Sequence, residues 1–365
     1  MVRIIKRRDT VLPEDLIIHI VSFLSAKEAA RTRVLYKQWL NLFTIESDLV
    51  FDYSVKICGS FKSFVDRLLA RHVSYRVRRL SLKLRPTNFD SAQYKLVNEC
   101  LCNVLKRGVM DLELDINVDK DYPLPSEVFT CSTVVKLKLG SGFVIDIIPK
   151  DASLPALKTL ILDSVQFYSL GDGCVFQRLI SACPVLEELV IDGHNCEDWN
   201  WSGTVSSQIL NRLTIRRKDR VQQDGSSYVA ISFDTPSLEY LEYSDLLRDE
   251  YPVVNLNSLV EAKLNLPVWH APESYNPGNL VIGLKNVQIM SLDYVETMQL
   301  FDAVYQVIPK FGNMCHLSIS TEPDYCCYGL EILVKNSPNL KTLTIKPLLK
   351  GLNELTSYYC KRETS

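Results

Sequence analysis

The densest run of side chains able to do chemistry in this chain lies at 192–201. Asp192, His194, Cys196, Asp198, Trp199 and Trp201 follow an apolar segment there. Imidazole, thiolate and carboxylate together could hold a divalent ion, but ligands of mixed softness at two-residue steps in one loop match no zinc or copper pattern. Two tryptophans in such a loop fit partner contact better, because large aromatic side chains anchor interfaces. The eleven cysteines are odd in number and irregularly spaced. Cys100 and Cys102 are two apart, Cys326 and Cys327 are adjacent, and no pair of CxxC knuckles occurs. They read as single buried thiols in a reducing compartment, not as a disulfide framework. His19, His72, His194, His270 and His316 fall in separate segments, away from any nucleophile motif. There is no G-x-S-x-G, H-E-x-x-H or G-x-x-x-x-G-K, and Gly140 and Gly142 lack the third glycine of a dinucleotide fingerprint. A noncatalytic protein is expected, with no metal and no cofactor.

Charge narrows the class further. Forty-one basic residues against 43 acidic ones leave a net charge of -2, which provides no electrostatic footprint for nucleic acid. Arg3, Lys6, Arg7 and Arg8 precede the apolar stretch 16–26 and imitate a secretory signal, but Glu14, Asp15 and His19 interrupt the pattern. No window reaches the ~20 apolar residues of a membrane span. The expected location is the nucleus, the cytoplasm or both.

The elements that would position any site begin near residue 12. Pro13 suits a first helical position, and Glu14 and Asp15 complement the positive end of a helix dipole. Leu16, Ile20 and Phe23 recur on one face, with Ile17, Val21 and Leu24 beside it. Ser25 and Glu28 form a capping box for a second helix from about Ala26, and a third runs from Tyr36 through Trp39 to Phe43. Three short helices cannot bury this much apolar surface among themselves, so a partner is implied.

This segment resembles an F-box, with LP-x-x-L, I-x-x-F-L and W carried by Leu12, Pro13, Leu16, Ile20, Phe23, Leu24 and Trp39, and with Ser25 where the family usually has Pro. The subtype is similar to plant F-box/leucine-rich-repeat proteins, whose motif continues into a segment like SDLVFDYS at 47–54. The resemblance implies that Leu12, Pro13, Leu16, Ile20, Val34, Leu35 and Trp39 contact a Skp-type adaptor or support the helices that do. It further implies a link through that adaptor to a cullin and a substrate-recognition role in an SCF-type ubiquitin ligase. A small-molecule receptor on the same scaffold and an interaction scaffold without ligase output are the alternatives.

Downstream, short L-x-L segments recur. Their first apolar residues are Leu80, Leu112, Leu137, Leu160, Leu189, Leu213, Leu241, Leu264, Met290, Leu317 and Leu343, at intervals of 32, 25, 23, 29, 24, 28, 23, 26, 27 and 26. That is mostly the leucine-rich-repeat period of about 20–29. The stretches 179–193 and 333–346 suggest the unit: a short helical piece, a Pro that ends it, then a strand. Met290 and Tyr243 depart from the consensus. The expected fold is α/β, a three-helix F-box followed by a curved solenoid with a parallel sheet. Its expected parts are an F-box at 10–50, a connecting helical segment at 51–75, repeats at 76–347 and a tail or cap at 348–365.

Alternation sends the leucines inward and leaves the residues between them on the open sheet face. Charge sign on that face alternates from strand to strand: Arg79 and Lys83, then Asp111, Glu113 and Asp115, then Lys136 and Lys138, then Glu188 and Asp192, then Arg212 and Arg216. Cross-strand ion pairing explains this, and a charged, partly aromatic docking surface for an unknown substrate protein is the functional reading. The candidate substrate contacts are Lys136, Lys138, Trp199, Trp201, Arg212, Arg216 and Tyr240.

Overall fold

The computed structural model describes residues 46–51, 63, 66, 77–84, 91–116, 124–140, 143–167, 175–193, 203–217, 230–245, 247–266, 276–293, 297–298, 300–301, 304–321 and 328–347. The F-box helices fall outside these residues. Of the expected connecting helical segment at 51–75 only Phe51, Ser63 and Asp66 are described: Phe51 ends a strand instead, and Ser63 and Asp66 are helical and exposed.

Each recurring segment is a strand, and together they make one parallel sheet. In chain order the strands are β1 (Glu46–Phe51), β2 (Val77–Leu84), β3 (Asp111–Ile116), β4 (Lys136–Gly140), β6 (Thr159–Asp163), β8 (Glu188–Gly193), β10 (Arg212–Arg217), β12 (Tyr240–Ser244), β14 (Glu261–Asn265), β15 (Ile289–Leu292), β16 (His316–Thr321) and β17 (Thr342–Pro347). Every neighbouring pair is parallel and consecutive in the order just given. β1 stands outside the eleven recurring segments and pairs with β2, Asp48 opposite Arg79.

A nine-residue pattern fixes the register. Inward positions 1, 4, 7 and 9 are Leu154, Leu157, Leu160 and Leu162 in one unit and Phe311, Met314, Leu317 and Ile319 in another, each buried to 1% exposure or less. The turn before each strand also binds the previous unit. Lys158, Glu187, Asn211, Glu239, Val260, Gln288, Cys315 and Lys341 each donate a backbone N–H to the equivalent carbonyl one repeat back, at 2.8–2.9 Å. Asn286, Asn313 and Asn339 add side-chain amide bonds to the carbonyls of Asn257, Asn286 and Gly312. Orphan groups of the turns are thereby satisfied across repeats, so each unit needs its neighbour.

This register corrects one anchor. Ala262, not Leu264, lies between Leu241 and Met290, and Leu264 pairs with Tyr243 and Leu292 in the second inward row. Leu256, Leu259, Ala262 and Leu264 occupy the four inward positions, each at 1% exposure or less. Met290 and Tyr243, apparent departures from the consensus, sit in the inward rows and are fully buried.

The layer behind the sheet is mixed. α1 (Ser91–Arg107) buries Val97, Cys100, Leu101, Val104 and Leu105 at helical spacing. Gly108 ends it at φ 85°, where its N–H reaches the Leu105 carbonyl, a left-handed cap that glycine adopts without strain. α2 (Val175–Ser181) and α3 (Gly278–Gly283) follow, and α4 (Tyr328–Lys335) precedes β17. α2 and α4 are the helical pieces expected before Pro184 and Pro338. Short strands fill the rest of this layer: β5 (Val144–Ile145) pairs with β7 (Gln166–Phe167), which precedes α2 in its own unit, while β9 (Gly203–Ser206), β11 (Ile231–Asp234) and β13 (Val254–Asn255) form a second parallel sheet in units without a described helix. The helical unit read from two repeats therefore does not extend to all of them, because a rear segment such as Ile231–Asp234, which buries the strand-favouring Ile231 and Phe233, pairs with its equivalents instead.

Candidate functional site: the open face of the sheet

Three rows of outward side chains cross the sheet. The first runs Arg79, Asp111, Lys136, Thr159, Glu188, Arg212, Tyr240, Glu261, Ile289, His316 and Thr342. The second starts at Ser81 and Glu113 and passes through Lys138, Ile161, Val190 and Thr214 to Glu242 and Lys263. The third includes Lys83, Asp115, Gly140, Asp163, Asp192, Arg216, Ser244 and Asn265. These neighbours are 21–32 residues apart in sequence, and the parallel register alone brings them together.

Two ionic clusters organise the face. In the first, Glu113 is the hub: Arg79 approaches at 3.1 Å, Lys83 at 3.0 Å, Lys138 at 3.4 Å, and Ser81 Oγ donates at 2.9 Å. Glu113 is 6% exposed. Burial works against its ionisation, but hydrogen bonds from Lys83, Ser81 and Arg79 outweigh that and bring its pKa down to about 2. In the second cluster Arg216 grips Glu242 with two bonds, 2.6 and 3.0 Å, and stands 3.8 Å from Asp192. Tyr240 donates its hydroxyl to Glu242 at 3.0 Å, and its ring lies between Arg212 at 4.0 Å and Lys263 at 5.3 Å. The hydrogen bond from Arg216 holds the Glu242 carboxyl below its ordinary range. Arg216, Glu242, Ser244, Lys263, Asn265 and Asp293 surround a shallow depression of about 290 Å³ floored by Tyr243 and Leu264.

The candidate contacts therefore divide. Lys138 and Arg216 are committed to carboxylates, and Arg212 lies on Tyr240 with Glu188 at 3.9 Å. Tyr240, expected as an exposed contact, is 8% exposed, because the two cations and Glu242 enclose it. Lys136 is exposed and makes no ion pair with a described residue. Trp199 and Trp201 lie outside the described residues, as do His194, Cys196, Asp198 and all seven adaptor-binding candidates. Sequence reasoning placed Glu113 on this face but missed its role as hub. The signal was present in Ser81, Glu113 and Lys138, each one residue beyond a strand anchor and so neighbours in a single row.

Other chemistry is sparse among the described residues. No group of three His, Cys, Asp or Glu side chains is arranged to hold a metal ion, and no described helix is long and apolar enough to cross a membrane. Cys100, Cys131 and Cys183 are free and buried, and burial pushes the Cys100 and Cys183 thiols up to about 12. Such thiols are poor nucleophiles at neutral pH.

Comparison with known proteins agrees with this architecture. A family model described as "FBD-associated F-box protein At5g56370, LRR repeats" matches residues 97–292, and an F-box domain model matches residues 10–50. The chain is similar to three Arabidopsis thaliana proteins. It is 61% identical to F-box protein At3g62430 over 341 residues, covering 92% of this chain and 77% of the relative. It is 49% identical to F-box/LRR-repeat protein At3g58980 over 351 residues, covering 92% and 58%. F-box/LRR-repeat protein At3g62440 is 48% identical over 370 residues, covering 95% and 80%. With an F-box match, a repeat-family match over 97–292 and relatives named F-box or F-box/LRR-repeat proteins that are 48–61% identical across most of the chain, this protein belongs to the plant F-box/leucine-rich-repeat family.

Proposed function

We propose that the chain is the substrate-recognition subunit of an SCF-type cullin ubiquitin ligase, itself noncatalytic. Its F-box docks on a Skp-type adaptor, and its open sheet face holds a substrate protein. The observation that carries this reading is the F-box match at 10–50, whose last residues run into the first strand, Glu46–Phe51, of a parallel repeat sheet. A ligase scaffold acts by position: it keeps a substrate near the loaded conjugating enzyme and so raises its effective concentration. The continuous hydrogen-bonded sheet suits that task, because each repeat is tied to the next by backbone ladders and turn amides. The nucleus or cytoplasm is the compartment that the free buried thiols favour.

The small-molecule alternative is less well supported. The cations around the 290 Å³ depression already have carboxylate partners: Arg216 has Glu242, and Lys263 has Glu261 at 3.4 Å. The test of the leading reading is co-purification with a Skp adaptor and a cullin. Intact protein should carry both, and Leu16→Glu combined with Ile20→Glu should lose both while the repeat sheet stays folded. Equal capture by the double variant would overturn the proposal.

A further inference from the structure

The open face of β2, β3 and β4 has more cations than its carboxylates can engage. Arg79, Lys83, Lys136 and Lys138 stand there against Asp111, Glu113 and Asp115. What a partner would meet is more positive than that count, because the central carboxylate is the buried member of its cluster. Glu113 is buried, whereas the side chains of Arg79, Lys83 and Lys138 gathered on it are 31–39% exposed. One negative charge therefore serves three positive ones. Lys83 and Lys138 approach the same oxygen, Oε1, and an ammonium group has three donors, so each keeps N–H groups to offer. Lys136 is exposed beside them, with no ion pair to a described residue.

The next strands change character. In the middle row Lys138 is followed by Ile161 and Val190, apolar side chains that point outward and are half-buried. The neighbouring rows on those two strands hold Asp163, Glu188 and Asp192. The second ionic cluster, further on, is matched charge for charge: Arg216 has Glu242 and Asp192, and Arg212 has Glu188. We propose that the substrate segment held on this face is acidic, with its carboxylates on Lys83, Lys136 and Lys138 and an apolar residue a few positions away packed on Ile161 and Val190. This rests on the open face being the substrate seat. Val190 lies two strand spacings from Lys138, about 10 Å, a distance that about three residues of extended chain cover. Asp163, Glu188 and Asp192 repel carboxylates from the apolar patch, so the acidic part of the segment is confined to β2, β3 and β4.

Selection of a random library of short displayed peptides on the full-length chain tests this. Enriched peptides should carry clustered Asp or Glu with an apolar residue a few positions away. A labelled peptide from that selection should bind Lys136→Glu about tenfold more weakly and Ile161→Thr about fivefold more weakly. Lys346→Glu, the same charge reversal at an exposed position on the distant β17, should leave binding unchanged. Enrichment of basic or uncharged peptides, no enrichment, or equal weakening by Lys346→Glu would overturn the proposal. Adaptor capture on the same samples separates this from the ligase reading. Lys136→Glu should retain the Skp adaptor and cullin in full. A chain that captures both but selects no acidic peptide refutes the substrate class alone, and one that selects acidic peptides but captures no adaptor refutes the ligase role.

Discussion

Removing the charge at Glu113 tests whether the open face is held by its ionic clusters. Glu113→Gln keeps the shape but leaves Arg79, Lys83 and Lys138 facing one another. The folded carboxyl titrates at about 2 against an ordinary 4.5. At 1.36 kcal/mol per pKa unit the full shift corresponds to about 3 kcal/mol. The three cations are each about a third exposed, so solvent screens them and about 2 kcal/mol is the expected loss at pH 7. The folded pKa is depressed, so the stabilisation is present above pH 4.5 and fades as pH falls towards 2. Urea unfolding of wild type and Glu113→Gln should show the gap narrowing to under half its neutral value by about pH 3. A gap that does not change with pH, or no gap at pH 7, would refute the assignment of Glu113 as an ionised hub.

Four further single substitutions and one double variant probe the packing. Leu264→Ala should cost about 2–5 kcal/mol in denaturant melts, and Ala262→Leu about 1–3 kcal/mol by overpacking; a tolerated Ala262→Leu would reject the register that places Ala262 in the core. Gly283→Ala should lower the melting temperature, because a Cβ there would collide with the stiff Val254 side chain behind β14; an unchanged transition would show that β13 yields. Asp245 and Arg248 form a 2.6 Å ion pair with both side chains 2% exposed, so Asp245→Ala should cost about 3–5 kcal/mol. Asp245→Leu with Arg248→Met should recover much of that loss in the same melts, and a double variant as unstable as the single one would argue against an uncompensated buried charge as the cause.

Local pattern made much of this protein legible. The F-box motif is a run of contiguous residues, and strand alternation is a property of each segment alone, so the recurring L-x-L units identified eleven of the twelve described strands of the main sheet and missed β1. The misplaced anchor at Leu264 shows where that logic weakens. The segment offers two apolar residues in the right alternation, and a small alanine hides the first; only the preceding Leu256 and Leu259, spaced as in the other units, disclose the register.

The sequence by itself determined the class of the fold, the period of the repeats and the F-box that precedes them, because those rest on spacings of a few residues. Tertiary structure alone decided which charges are free. Glu113 gathers Arg79, Lys83 and Lys138, and Tyr240 is enclosed by Arg212 and Lys263, through contacts that span whole repeats, with Glu242 of its own strand completing the cluster. Their pairing depends on strand register set by buried leucines far away in the sequence, so a list of exposed residues could name the face but not tell its spoken-for cations from Lys136.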